Sequence, residues 1–166
     1  MKAIVSVDKN WGIGCGSDLL FHIPGDMKFF KEKTTGNVVV MGLATFLSLP
    51  KQEPLKDRVN IVLCDNPDWK AQGVTVVHSS KELTEEIKKY DTDSVFIIGG
   101  ASVYSQFVPL CSEAYITKFN AQKQADKFFP NLDKDENWIL AEESDVKSEK
   151  GVEFVFTLYK NKQNSI

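Results

Sequence analysis

Cysteine is scarce and scattered in this chain. Cys15, Cys64 and Cys111 are an odd number, lie far apart and form no CxxC pair. That pattern excludes a disulfide framework and a zinc site, and fits a reducing compartment. Histidine is scarcer still. His22 and His78 each lack a cysteine or second histidine at ligand spacing, so no metal is expected. A basic excess is also missing. Lys and Arg number 20 against 23 Asp and Glu, for a net charge of −3. A protein that works on nucleic acid or an anionic membrane normally carries the opposite balance. Lys2, Asp8 and Lys9 interrupt the N-terminus and leave no apolar signal core. No later apolar run approaches membrane length. The expectation is a cytoplasmic protein that binds neither nucleic acid nor membrane. No linker, repeat or low-complexity tract divides the chain, so residues 1–166 are expected to form one domain. A chain of that length buries about two-thirds of its unfolded surface.

What is present is an alternation. Ala3–Val7, Asn37–Met41, Val59–Leu63, Val74–Val77 and Ser94–Ile98 are β-branched runs, several of them apolar at every position. Such runs are typical of strands buried on both faces of a parallel sheet. Helices are predicted between them at Gly25–Lys33, Leu43–Leu49, Ser80–Tyr90 and Ala101–Val108. The fold class is therefore α/β: a mixed, mostly parallel twisted sheet flanked by helices. Beyond residue 113 the pattern changes. Ala114–Phe119, Trp138–Ala141 and Val152–Tyr159 are strand-like with only loops between them, which predicts a C-terminal antiparallel hairpin. The polar tail Lys160–Ile166 is expected to fray.

Three local features can carry chemistry. The first is Asp26. At 100° per residue, it falls near the centre of a helix face bracketed by Met27, Phe29 and Phe30. A carboxylate there is costly unless paired, and burial raises its pKa. The alternative is a capping acid in the first turn, where the helix dipole favours negative charge. The second feature is the strand Val95–Ile98 running through Gly99–Gly100 into a helix at Ala101–Ser102. Glycines admit close backbone approach, and a helix start offers free N–H groups to phosphate. The third is Met41–Gly42–Leu43–Ala44–Thr45–Phe46, again strand, glycine and helix. Thr45 could serve a phosphate oxygen or simply cap the helix. Neither glycine motif is GxGxxG, so no dinucleotide fingerprint is claimed.

In this order and register, the chain resembles the dihydrofolate reductase family. The matching segments are Ile4–Val7, Gly12–Ile13–Gly14, Ile23–Pro24–Gly25–Asp26–Met27, Val40–Met41–Gly42 with Thr45–Phe46, and Arg58–Leu63. Ile98–Gly99–Gly100 with Val103–Tyr104, Tyr115–Ile116–Thr117, Asp126 and Phe129–Pro130 continue the match to roughly residue 160.

The resemblance implies hydride transfer from NADPH to 7,8-dihydrofolate, in support of one-carbon metabolism. Asp26 becomes the active-site acid that holds the pterin edge, with Thr117 behind it. The sequestered-carboxylate reading is thereby preferred over the cap. The catalytic set is completed by Phe21. Ile4 and Ile98 would line the pterin with backbone carbonyls, and Val5, Met27, Phe30, Leu49 and Leu55 would pack around the substrate. Arg58 would clasp a glutamate carboxylate, a task suited to its planar fork. The implied cofactor set is Ser6, Ile13, Gly14, Leu19, Gly42, Leu43, Ala44, Thr45, Leu63, Cys64, Asp65, His78, Gly99, Gly100, Ala101, Ser102, Val103 and Tyr104. Within it the family often joins the paired glycines by a cis peptide. Lys9–Phe21 would be a mobile lid, with Gly12, Gly14 and Gly16 supplying its freedom.

Two departures stand out. Leu20–Phe21 replaces the family's usual Pro-Trp, and phenylalanine has no N–H to donate. Proton delivery and diaminopyrimidine inhibitor binding are expected to differ. The positions that usually carry cations for the 2′-phosphate hold Leu43, Ala44, Cys64, Asp65 and Ser102. An acid at a strand end near the ribose resembles the way NAD-binding folds accept a 2′-hydroxyl. Either NADH is used as well, or another cation (Lys56, Lys81 or His78) pairs with the phosphate; NADPH is the default. Rival readings are another pterin or pyrimidinone reductase of this fold, and a folate- or nucleotide-binding module without turnover. Arg58 argues against the first, because those substrates lack a glutamate tail; an absorbance assay separates the second.

Overall fold

The apolar runs form the centre of one sheet. The computed structural model describes residues 1–163. Its strands are β1 (Lys2–Val7), β2 (Gly12–Cys15), β3 (Asp18–Leu19), β4 (Val38–Gly42), β5 (Val59–Leu63) and β6 (Thr75–Val77). They continue with β7 (Val95–Gly99), β8 (Glu113–Phe119), β9 (Lys127–Phe128), β10 (Trp138–Glu143), β11 (Lys147–Glu149) and β12 (Val152–Asn161). The helices are α1 (Pro24–Thr34), α2 (Leu43–Ser48), α3 (Ser80–Ile87) and α4 (Ala101–Phe107). The main sheet runs β10-β12-β8-β1-β7-β4-β5-β6, with β11 on β12. From β8 to β6 every pairing is parallel; β12 runs antiparallel to β8, β10 and β11. This is the predicted mixed sheet with its antiparallel C-terminal end.

Strand β4 shows why the continuous apolar runs belong in the middle. Val38 and Val40 enter one core cluster, while Val39 and Met41 enter another on the opposite face. All four are buried. Each such side chain contributes roughly 1.5 kcal/mol or more by leaving water. A third cluster gathers Leu20, Phe21, Ile23, Phe119 and Phe154 near the antiparallel end.

Three expectations change. Helix α3 stops at Ile87, short of Tyr90, because its last N–H groups bond three residues back: Lys89 to Glu86 and Tyr90 to Ile87. The lid segment is not one loop. Its strands β2 and β3 pair with each other and β2 pairs with β9, which makes a second, small sheet. The tail does not fray from Lys160. Strand β12 continues through Asn161, which is buried and donates from Nδ2 to the Cys111 carbonyl at 3.0 Å. The remainder of that tail prediction, residues 164–166, lies outside the described residues.

Candidate active site

Asp26 stands in the first turn of α1, which opens at Pro24. No side chain at Ile23 caps this helix. Glu149 of β11 does so from across the chain, accepting the Gly25 N–H at 2.9 Å. Asp26 is thereby free of capping duty, and its carboxyl turns to the sheet. There the Ser6 hydroxyl of β1 donates to Oδ2, and the Thr117 hydroxyl of β8 also bonds the carboxyl. Ser6 and Thr117 are register partners on adjacent parallel strands, so their side chains share one face of the sheet. Burial raises the Asp26 pKa above the ordinary carboxylate value, and the two hydroxyl bonds oppose that rise.

The apolar face drawn around Asp26 is only partly core. Phe29 stacks on Phe156 at 4.2 Å, and Phe30 is half-buried. Met27, however, is 60% exposed. Helical periodicity identifies a face but not the depth of each position on it. Of the other predicted substrate contacts, Ile4 is buried and Val5, Leu49, Leu55 and Ile98 are half-buried. The Ile4 carbonyl accepts the Tyr104 O–H at 2.8 Å. Tyr104 is buried, and desolvation pushes its phenol pKa upward, so it stays a donor.

Arg58 sits just before β5. Its Nη1 donates to Thr34 Oγ1 at 3.0 Å, and its Nε to the Lys56 carbonyl at 2.8 Å. A guanidinium has about five N–H donors, so the rest of the fork is available to a carboxylate. Thr34 in turn donates to the Phe30 carbonyl at 2.8 Å, which ties Arg58 to the helix that carries Asp26.

The two glycine motifs come together. β4 and β7 are parallel neighbours, with Met41 opposite Gly99. Gly42 and Gly100 therefore open α2 and α4 side by side, and neither helix start has a side-chain cap. Gly99–Gly100 is a cis peptide, as the resemblance implies, and Gly99 has φ +132°. A Cβ at Gly99 or Gly100 would meet Thr45 Oγ1 at 3.3 or 3.4 Å. At Gly42 it would meet Val103 Cγ2 at 3.1 Å. Thr45 does not cap α2; it is the third residue inside it.

At the far ends of these strands Leu43, Ala44, Leu63, Cys64, Asp65 and Ser102 present no cation. Asp65 and Ser102 are exposed. Ser102 Oγ accepts from Gln106 Nε2 at 3.1 Å. His78 Nδ1 lies 2.8 Å from the Cys64 carbonyl. A carbonyl only accepts, so Nδ1 carries the proton in this bond.

The lid is fastened at several points. Asp8 is buried and accepts the N–H groups of Asn10, Gly12 and Lys123. The Gly16 N–H lies 3.1 Å from both oxygens of Asp126, and Lys127 Nζ donates to the Gly16 carbonyl at 2.6 Å. Lys123 Nζ donates to the Leu20 carbonyl at 2.8 Å and lies 4.6 Å above the Phe21 ring. Phe21 stacks on Phe119 at 4.1 Å, so its ring belongs to an apolar cluster. Ile13 and Gly14 are buried in β2, whereas Leu19 is 66% exposed. Only Gly16 among the three lid glycines has positive φ, at +62°. Gly12 and Gly14 are instead required by close contact, since a Cβ would meet Ala125 Cβ at 2.8 Å and the Asp18 carbonyl at 3.0 Å.

The sequence reading missed Asp8, Lys123 and Glu149. Each acts through a contact more than 100 residues away, and none has a local signature. Among the described residues, no cluster of three metal-ligating side chains occurs. No helix among the described residues is long and apolar enough to cross a membrane.

The chain is similar to known proteins over nearly its whole length. A family model described as dihydrofolate reductase matches residues 1–161. A dihydrofolate reductase of Bacillus subtilis is 35% identical over 164 residues, covering 98% of this chain and 95% of its own. One from Neisseria gonorrhoeae is 37% identical, covering 96% of each chain. The solved dihydrofolate reductase of Enterococcus faecalis, in complex with NADP(H) and RAB-propyl, superposes with TM-score 0.85 at 36% identity. That match covers 96% of this chain and 95% of the solved one.

Proposed function

The chain belongs to the dihydrofolate reductase family, and on that premise we propose how its own residues carry the reaction. The enzyme reduces 7,8-dihydrofolate to 5,6,7,8-tetrahydrofolate with NADPH. The observation that carries the residue assignment is the Asp26 carboxyl, half-buried in the first turn of α1 and bonded by hydroxyls of two strands.

Asp26 orients the pterin through its amide and 2-amino edge. A carboxylate accepts several hydrogen bonds, so the hydroxyls behind it do not exhaust it. It favours the protonated form of the substrate, with water carrying the proton to N5. Ile4 and Ile98 offer carbonyls to the ring, and Met27, Phe30, Leu49 and Leu55 enclose it. Arg58, held by Thr34, clasps the glutamate carboxylate.

NADPH supplies the hydride when bound. The residues present suit a dinucleotide: the paired glycines keep the backbone bare beside Thr45, where a Cβ would already touch its Oγ1 at 3.3 or 3.4 Å, and two uncapped helix starts offer N–H groups to phosphates. The lid from Lys9 to Phe21 keeps water from the reacting atoms. Discrimination between NADPH and NADH is weak, because Leu43, Ala44, Asp65 and Ser102 present no cation. The candidate cations for the 2′-phosphate are Lys56, Lys81 and His78, the last hydrogen-bonded to the Cys64 carbonyl just past β5. Phe21 offers no N–H, so diaminopyrimidine inhibitors bind with altered affinity; an ordinary inhibition constant would count against this. Residues 1–166 act as a single domain, as a cytoplasmic monomer.

The test is loss of nicotinamide absorbance with dihydrofolate, run in parallel with NADPH and NADH. Turnover with both supports relaxed selectivity. Turnover with NADPH alone points to an effective 2′-phosphate cation. No turnover with either would overturn the reading of the site.

A further inference from the structure

Strand β1 reads KAIVSV, with one hydroxyl among apolar residues. A serine there forgoes packing and needs a hydrogen-bond partner. Its partner is the Asp26 carboxyl, 20 residues away on another element. Among the described residues, the side chains that bond this carboxyl are the hydroxyls of Ser6 and Thr117. Burial raises the Asp26 pKa, and the hydrogen bonds from Ser6 and Thr117 oppose that rise.

We propose that Ser6 is a positioning residue for the reduction: its hydroxyl, donated from β1, fixes the Asp26 carboxyl for substrate and sustains its ionised form. This rests on the reading of Asp26 as the active-site acid. Two features make a hydroxyl suited to the task. Ser6 and Thr117 stand opposite each other on adjacent strands, so together they hold the carboxyl from two sides and limit its rotation. A hydroxyl both donates and accepts. It can donate to the carboxylate and, by turning its O–H, accept from the protonated acid, whereas an N–H group can only donate. Ser6 can therefore follow Asp26 through a change of protonation without moving a heavy atom.

The experiment compares wild type, Ser6→Ala, Ser6→Thr and Asp26→Asn. Asp26 is titrated in the free protein by its carboxyl carbon NMR shift, and kcat/KM for dihydrofolate is measured across pH with NADPH. In Ser6→Ala the Asp26 midpoint moves to higher pH and the acid limb of the kcat/KM profile moves with it. At neutral pH, kcat/KM for dihydrofolate falls roughly tenfold, the scale of a lost bond to a charged group. Ser6→Thr, which keeps the hydroxyl, restores both midpoints. Midpoints in Ser6→Ala that superimpose on wild type would overturn the proposal, as would equal damage in the Ala and Thr variants. Asp26→Asn separates the two readings. If it is inactive while Ser6→Ala behaves as wild type, only the Ser6 proposal fails. If Asp26→Asn is fully active, the reading of Asp26 fails and the proposal with it.

Discussion

Asp8 and Lys123 meet through a buried carboxylate oxygen: Asp8 Oδ2 accepts the Lys123 backbone N–H at 3.1 Å, while Oδ1 accepts those of Asn10 and Gly12. One side chain at the end of β1 thus holds both the start of the lid and the loop whose Lys123 side chain grips the Leu20 carbonyl. Asp8→Ala leaves these N–H groups without their partner. Removing a charged acceptor costs about 2–3 kcal/mol. The urea midpoint is expected to fall accordingly, with amide exchange of Gly12 and Lys123 accelerating before the sheet opens.

Arg58→Lys tests the clasp. Lysine keeps the charge but loses the planar fork and the bond to Thr34. The KM for dihydrofolate is expected to rise about 10- to 100-fold with kcat nearly unchanged, the signature of binding lost equally from ground and transition states. A pterin substrate without the glutamate tail should show no difference between the two enzymes. Steady-state kinetics with both substrates check this.

Asp26→Asn has a stability consequence with a definite sign. The folded protein holds the Asp26 proton to higher pH than the unfolded chain does, because burial disfavours the charge. Ionising this group therefore costs stability, and the cost appears as pH rises through the folded-state titration of Asp26. Below the ordinary carboxylate range both states are protonated and the cost is absent. Asparagine cannot ionise. Asp26→Asn should melt above wild type at neutral pH, with the advantage shrinking toward zero in acid, as calorimetry across pH can show.

Leu43→Arg tests the account of cofactor selectivity. Leu43 opens α2 beside Gly42, where no cation is present. An arginine there is expected to lower the KM for NADPH about tenfold, as one charge-assisted contact would, and to leave NADH unchanged. A similar gain with both cofactors would place the new charge away from the 2′-phosphate.

The sheet was legible because its central strands are covered on both faces. The run Val59–Leu63 is apolar at every position but Asn60, which is itself buried, and the strand occupies those same residues. The paired glycines and Asp26 were legible as local motifs, and the resemblance supplied their roles. Other features were hidden for a physical reason. The lid strands Gly12–Cys15 and Asp18–Leu19 depend on Lys127–Phe128, a pairing partner more than 100 residues along the chain. Gly12 and Gly14 suggest flexibility in sequence yet serve close packing. Met27 shares a helix face with Asp26 but lies exposed. The direction of the Ser6 hydroxyl is a matter of strand register, which composition does not encode.

The most direct test of the central claim, that Asp26 carries this reduction, is a single-turnover measurement. Enzyme loaded with NADPH is mixed with dihydrofolate and the loss of nicotinamide absorbance is followed for wild type and Asp26→Asn. The account predicts a hydride-transfer rate at neutral pH lower by roughly 100-fold or more in the variant, the scale of acid–base assistance, with NADPH affinity retained. A variant that transfers hydride at the wild-type rate would contradict it.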